Sequence, residues 1–249
     1  MSNLNLRGMN MKKYALAMVM VVLLAAGYSQ RSEAQAPPCA PTGTFVTLEL
    51  YSLVFGGCTI DDKLFGDFDF AAAPGTSFTA ADLGYTVIED SACVPGHSCD
   101  GFRFNFGLTA NSGQTQDFTI QYDIECISGA PCIVSAELSM TGGSSTGGSA
   151  SVAETLCLGS LFAAGCIPSD SLFVSSPGST TDNTTFTGVS VLGVQKDINA
   201  SCAGITECTA SISVVTNTVD QVAVPEPATL LLFGAGLAGL GFFRRRKAS

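Results

Sequence analysis

The 249-residue chain holds 21 acidic against 11 basic residues, ten cysteines, one histidine and no tryptophan. A net charge of −10 excludes electrostatic recognition of nucleic acid or of an anionic membrane surface by the bulk of the chain. A single histidine leaves too few parts for a histidine-supported zinc site, and an even cysteine count leaves no free thiol for it to activate as a nucleophile.

At the N-terminus, Arg7, Lys12 and Lys13 precede the apolar run 14–28, and small residues follow. This order of charged, hydrophobic and small-residue segments is that of a secretory signal peptide, so residues 1–34 are expected to direct export through the Sec machinery. Cleavage fits after Ala34 or after Ala36; the second would leave Pro37 next to the cut, which favours the first. The start could also be Met9 or Met11, and an uncleaved N-terminal anchor is the alternative.

Residues 35–222 form the expected secreted domain, long enough for one substantial core. Its only basic residues are Lys63, Arg103 and Lys196, set against nineteen acidic ones, for a net charge of −16. All ten cysteines lie in this segment, an even number that reads as five disulfides in an exported chain. Cys93/Cys99, Cys126/Cys132 and Cys202/Cys208 each have the spacing C-x5-C, Cys157/Cys166 is slightly wider, and Cys39/Cys58 remain. Metal binding is the competing reading, but zinc sites favour tighter cysteine spacing with histidine support.

The patterning is β almost throughout. Phe102, Phe104, Phe106 and Leu108 alternate with polar or small residues, as do Phe118, Ile120, Tyr122 and Ile124. Such period-two alternation marks strands with one buried and one wet face. Val46, Leu48 and Leu50, and later Ile212 and Val214, continue it less cleanly, and no stretch shows convincing helical periodicity. An all-β antiparallel sandwich, jelly-roll or Ig-like, follows. Its C-x5-C pairs are expected to close hairpin loops, with a gain on the order of 2 kcal/mol each. Tyr122-Asp123-Ile124 is echoed by Lys196-Asp197-Ile198, and 141–151 is a Gly/Ser/Thr loop.

Candidate chemistry is sparse. Gly143-Ser144-Ser145-Thr146-Gly147 matches G-x-S-x-G, but the nucleophile elbow needs a strand-to-helix turn and a histidine after the serine, whereas His97 precedes it. Asp61, Asp62, Asp67 and Asp69 are the densest acidic group. Asp67 and Asp69 would project from one strand face and are weak calcium candidates, with a solvated face as the plainer reading. Paired carboxylates for glycoside hydrolysis stay open, although the lack of tryptophan removes the usual sugar platform. No cofactor and no enzymatic activity are expected.

The chain ends, over residues 223–249, in three parts: Pro225-Glu226-Pro227, the apolar run 228–243, and Arg244, Arg245, Arg246 and Lys247. As a helix the run would span roughly 24 Å, somewhat short of a bilayer core, with the basic cluster held on the cytoplasmic side. Gly234-Ala235-Gly236-Leu237-Ala238-Gly239 formally matches a dinucleotide fingerprint but has no βαβ context; close helix packing suits its small residues better.

These three parts resemble the PEP-CTERM sorting signal of Gram-negative bacteria that make exopolysaccharide. The resemblance implies transient insertion in the inner membrane and processing near Pro225, Glu226 and Pro227 by an exosortase, with the basic residues as the stop. A permanent, uncleaved anchor is the alternative. Tyr122-Asp123-Ile124, Ala150–Thr155 and Lys196-Asp197-Ile198 resemble segments of other PEP-CTERM ectodomains, which implies an all-β domain without an activity. The expected protein is a non-enzymatic cell-surface or extracellular-matrix component, associated with exopolysaccharide and biofilm and not with nucleic acid. A carbohydrate- or calcium-binding module is the alternative, and a hydrolase with unrecognised carboxylates the next.

Overall fold

The computed structural model describes residues 36–91, 98–144, 147–162 and 165–221. The expected signal peptide, the tail with Pro225, Glu226, Pro227 and Arg244–Lys247, and also Cys93, His97 and Ser145, lie outside the described residues.

The strands are β1 (Thr42–Thr44), β2 (Cys58–Ile60), β3 (Lys63–Ala72), β4 (Gly84–Ser91), β5 (Ser98–Asn111), β6 (Thr115–Cys126) and β7 (Ile133–Ser144). They continue with β8 (Ser149–Leu158), β9 (Asp170–Ser176), β10 (Thr181–Val189), β11 (Val191–Ser201) and β12 (Thr209–Gln221), while helix α1 (Phe45–Phe55) separates β1 from β2. Sheet one has the order β1-β4-β5-β12-β7-β10 and sheet two the order β2-β3-β6-β11-β8-β9. All the pairings between these strands are antiparallel. From β5 onward, the 5-12-7-10 and 6-11-8-9 orders are those of two nested Greek keys, so the sandwich is a jelly roll rather than Ig-like. β4 and β1 extend one sheet, and β3 and β2 extend the other.

The alternating apolar residues of β5 and β6 fill the space between the sheets. Phe102 meets Phe65 edge-on at 5.1 Å and Tyr85 at 5.7 Å, and Tyr122 stacks on Phe68 at 5.5 Å, giving an aromatic centre to a core otherwise built of Val, Ile, Leu and Ala.

Two expectations need correction. Val46, Leu48 and Leu50 are not strand residues: 45–55 is an α-helix, with only Phe45 and Leu48 buried. Gly56 at φ 75° and Gly57 at φ 140° end it, and their amides return to the Ser52 and Tyr51 carbonyls (both 3.1 Å), an ending that side chains with a Cβ adopt poorly.

The second correction concerns two of the loops read as hairpins. Disulfides join Cys39–Cys58, Cys126–Cys132, Cys157–Cys166 and Cys202–Cys208, four of the five pairs named above; Cys99 is also disulfide-bonded, but Cys93 lies outside the described residues. Of these four, the Cys157–Cys166 loop joins hydrogen-bonded neighbours, β8 and β9. Cys126–Cys132 closes the passage from β6 in sheet two to β7 in sheet one, and Cys202–Cys208 the passage from β11 to β12. These are arches between sheets, and local cysteine spacing looks the same in an arch and in a hairpin.

Candidate functional site

Each strand of sheet two turns one face to the core and the other outward. On the outer face, Asp69, Gln121, Gln195 and Thr155 stand opposite one another across β3, β6, β11 and β8. At about 4.8 Å per strand this row of hydrogen-bonding side chains extends about 14 Å. The parallel row through Thr119 and Asp197 ends at Phe173 of β9, a large apolar side chain that is 55% exposed. Beside Phe173 opens a cleft of about 650 Å³, lined by Ser144, Ser149, Ser151, Ser175 and Ser176 with glycine and proline backbone. That lining offers hydroxyl groups but no acid, lysine or histidine to deprotonate one of them. The G-x-S-x-G segment lies between strands β7 and β8, whereas a nucleophile elbow is followed by a helix.

The acidic groups on this face are held in pairs. Asp197 is pushed up to about 6 by partial desolvation and then by the carboxyl of Asp117 beside it. Asp67 and Asp69 have separate neighbours, because a bulge interrupts the β3–β6 register between Gly66 and Asp69 and Asp67 adopts φ 51°. Asp69 raises Glu49 of α1, behind the larger effect of that group's own partial burial, whereas Asp67 lies against Asp123.

Asp123 was not a candidate from sequence. It points away from the core, between inward Tyr122 and Ile124, yet is only 3% exposed because residues 159–162 fold over it. Its Oδ1 accepts the Phe162 amide hydrogen at 3.0 Å, while Oδ2 has no hydrogen-bond partner. Burial first, then Asp67 and Glu125, raise its pKa to about 6 against the lowering effect of the Phe162 amide.

Asp61 and Asp62 meet Asp100 instead, with ligand-type oxygens within 4.8 Å of one another. Lys63 Nζ already donates to Asp62 Oδ1 at 2.9 Å and to Asp100 Oδ2 at 2.8 Å, so an ammonium supplies the positive charge that a metal would bring.

The segments carrying Tyr122, Glu154 and Lys196 converge in the core. Lys196 Nζ donates to Glu154 and lies 5.6 Å above the Tyr122 ring; the Tyr122 hydroxyl donates to Asn217 Oδ1. Asn217 Nδ2 donates in turn to Glu154 Oε1 at 3.0 Å and to the Glu137 carbonyl at 3.0 Å. Both charged side chains are fully buried. Burial holds Lys196 below and Glu154 above its ordinary value, even against their mutual attraction, and burial followed by Glu154 raises Tyr122 well above its own. No solvent reaches this cluster, so it ties β6, β8 and β11 of one sheet to β12 of the other rather than serving as a reaction centre.

With Lys63 and Lys196 both paired and buried, Arg103 is the one exposed basic residue among the described residues. The described surface is therefore strongly acidic, which disfavours polyanionic partners.

Residues 223–247 match the family model of the PEP-CTERM protein-sorting motif. No curated protein matches the chain. Among solved structures, TmCBM61 in complex with β-1,4-galactotriose is similar at 11% identity, over 61% of this chain and 87% of that one, with a TM-score of 0.31. The enzymatically active domain of bacteriophage CBA120 tailspike protein 4 is similar at 12% identity, over 65% of this chain and 20% of that one (TM-score 0.24). Trichoderma harzianum endoglucanase 3 of family GH12 is similar at 9% identity, over 61% and 98% (TM-score 0.20). At such identities and scores these likenesses bear on no activity. The matched motif does bear on destination: it implies export, processing at the membrane and an exosortase as processing partner, and the chain is a PEP-CTERM sorting domain-containing protein.

Proposed function

We propose that this chain is a non-enzymatic surface or extracellular-matrix protein of a Gram-negative bacterium, associated with exopolysaccharide and biofilm. The observation that carries the reading is the fixed order of Pro225-Glu226-Pro227, the apolar run 228–243 and the Arg244–Lys247 cluster within the matched motif. In this reading the signal peptide over 1–34 takes the chain through the Sec machinery, and the apolar run holds it in the inner membrane. An exosortase then cuts near the Pro-Glu-Pro turn and frees the jelly roll.

Intact mass of the protein recovered separately from membrane and medium tests this. A species starting near Gln35, ending near Pro225–Pro227 and ten mass units below its reduced form supports export, tail processing and five disulfides together. A membrane species that keeps Arg244–Lys247 makes the tail a permanent anchor and ends the sorting reading.

A second reading has its own support: the Asp69-Gln121-Gln195-Thr155 row is a linear hydrogen-bonding surface of the kind sugar hydroxyls need, with Phe173 as an apolar neighbour. It makes the ectodomain a glycan-binding module. Retention on polysaccharide columns that is lost in Gln121→Ala and Gln195→Ala supports it; retention unchanged in both variants removes it.

A further inference from the structure

We propose that Asp123 and Asp67 hold a divalent cation of the calcium type on the outer face of sheet two, beneath residues 159–162. Asp123 is 97% removed from solvent, and its Oδ2 has no donor from any neighbouring group. The side chain that meets it is another carboxyl, that of Asp67, with Glu125 the next acid on the same face. Two facing carboxyls without a donor between them need a positive charge or a shared proton.

Among the described residues no side chain supplies such a charge. Lys63 is bonded to Asp62 and Asp100, Lys196 is bonded to Glu154 inside the core, and Arg103 belongs to β5 in the other sheet. Residues 159–162 bring no charged side chain, β11 presents Gly193 and Gln195, and α1 contributes only Glu49, which faces Asp69.

The surroundings supply oxygen. Glycines stand opposite Asp123 on both neighbouring strands, Gly66 on β3 and Gly193 on β11. A Cβ on Gly193 would lie 2.9 Å from the Phe162 ring and 3.1 Å from the Ser160 carbonyl oxygen; one on Gly66 would lie 2.6 Å from the Gly56 carbonyl oxygen. Two main-chain carbonyls thus press in beside the glycines that flank Asp123. Hard oxygen donors suit Ca²⁺, whereas zinc favours nitrogen and sulfur.

The test is thermal unfolding of the purified exported chain, disulfides intact, at pH 7.5, first stripped with chelator and then titrated with CaCl2 to about 10 mM, a range that covers extracellular calcium modules. The midpoint is expected to rise by several degrees with the logarithm of calcium concentration, and the rise to vanish in Asp123→Asn and in Asp67→Asn while persisting in Asp61→Asn. Asp67 is exposed and sits at φ 51°, which asparagine tolerates, so that variant folds even if Asp123→Asn does not. No calcium response, or a response undiminished in Asp67→Asn, overturns the proposal. So does a Asp67→Asn chain that is more stable than the native one at pH 7.5 regardless of calcium, which would leave a shared-proton pair.

Discussion

Lys196→Met is the substitution that tests the core most directly. It keeps the length and apolar stem of the side chain but removes the ammonium that balances Glu154, where both groups are fully buried. Removing one member of a buried pair costs about 3–5 kcal/mol, because the remaining charge keeps its desolvation penalty without its partner. Asn217 Nδ2 still donates to both Glu154 oxygens, at 3.0 and 3.2 Å, which places the loss toward the lower end, about 3 kcal/mol. For a domain of this size that is a fall in midpoint of roughly 6–12 °C.

The pH dependence supplies a second reading of the same change. Burial already raises Glu154 above its ordinary value while Lys196 pulls it down, so loss of Lys196 raises it further. A carboxyl with a raised folded pKa is penalised as pH climbs above its unfolded value, and the variant should recover stability as the pH is lowered toward 5. Urea unfolding at pH 7.5 and 5, with disulfides intact, measures both effects. Adding Glu154→Gln, which is neutral and still offers Asn217 an acceptor, should restore most of the loss at pH 7.5. If Lys196→Met is within about 0.5 kcal/mol of the native chain at pH 7.5, or Glu154→Gln restores nothing, the buried-pair account is wrong.

Other substitutions probe the outer face and the arches. Gly193→Ala should cost about 1–3 kcal/mol in urea unfolding, since its Cβ would stand 2.9 Å from the Phe162 ring and 3.1 Å from the Phe162 amide that holds Asp123. In chelator, native stability should decline as pH rises from about 4 to 6: Asp123 is raised from 3.8 to about 6, so its unfavourable ionisation is absent below the lower value and complete above the upper one. Asp123→Asn should make that decline shallower, leaving the share of Asp197, which is raised over the same range. Replacing Cys202 and Cys208 together by alanine should cost about 2 kcal/mol, leaving a folded chain whose mass shifts by one fewer reducible bond.

How much of this was legible in the sequence depends on range. The alternation of Phe102 to Leu108 and of Phe118 to Ile124 announced β5 and β6, because which face a strand buries is a local property. The jelly-roll order was hidden: β5 pairs with β12, about a hundred residues away, and nothing in either strand names its partner. Helix 45–55 was misread because Val46, Leu48 and Leu50 alternate by coincidence and the chain is apolar on all its sides; Gly56-Gly57 was the signal that could have found it. Asp67 and Asp69 looked like a pair, but strand parity fails at a bulge. Asp123 and Asp197 read as outward polar residues in matching motifs, and only packing distinguished them, since residues 159–162 cover Asp123 alone. The sorting tail was the most legible part because its three pieces lie in one short stretch.

The burial of the two lysines has a consequence for life outside the cell. Trypsin-like proteases cut after lysine or arginine and need an extended, accessible loop. Between residues 36 and 221 the chain has only Lys63, Lys196 and Arg103 for them to use. The first two are wholly enclosed in ion pairs, and Arg103 lies mid-strand in β5, hydrogen-bonded between β4 and β12. Cleavage there must wait for the sandwich to open, so digestion by such enzymes is set by the rate or extent of unfolding rather than by any exposed loop. Resistance to proteases that cut after lysine or arginine is thus a by-product of where the few positive charges of this domain were placed.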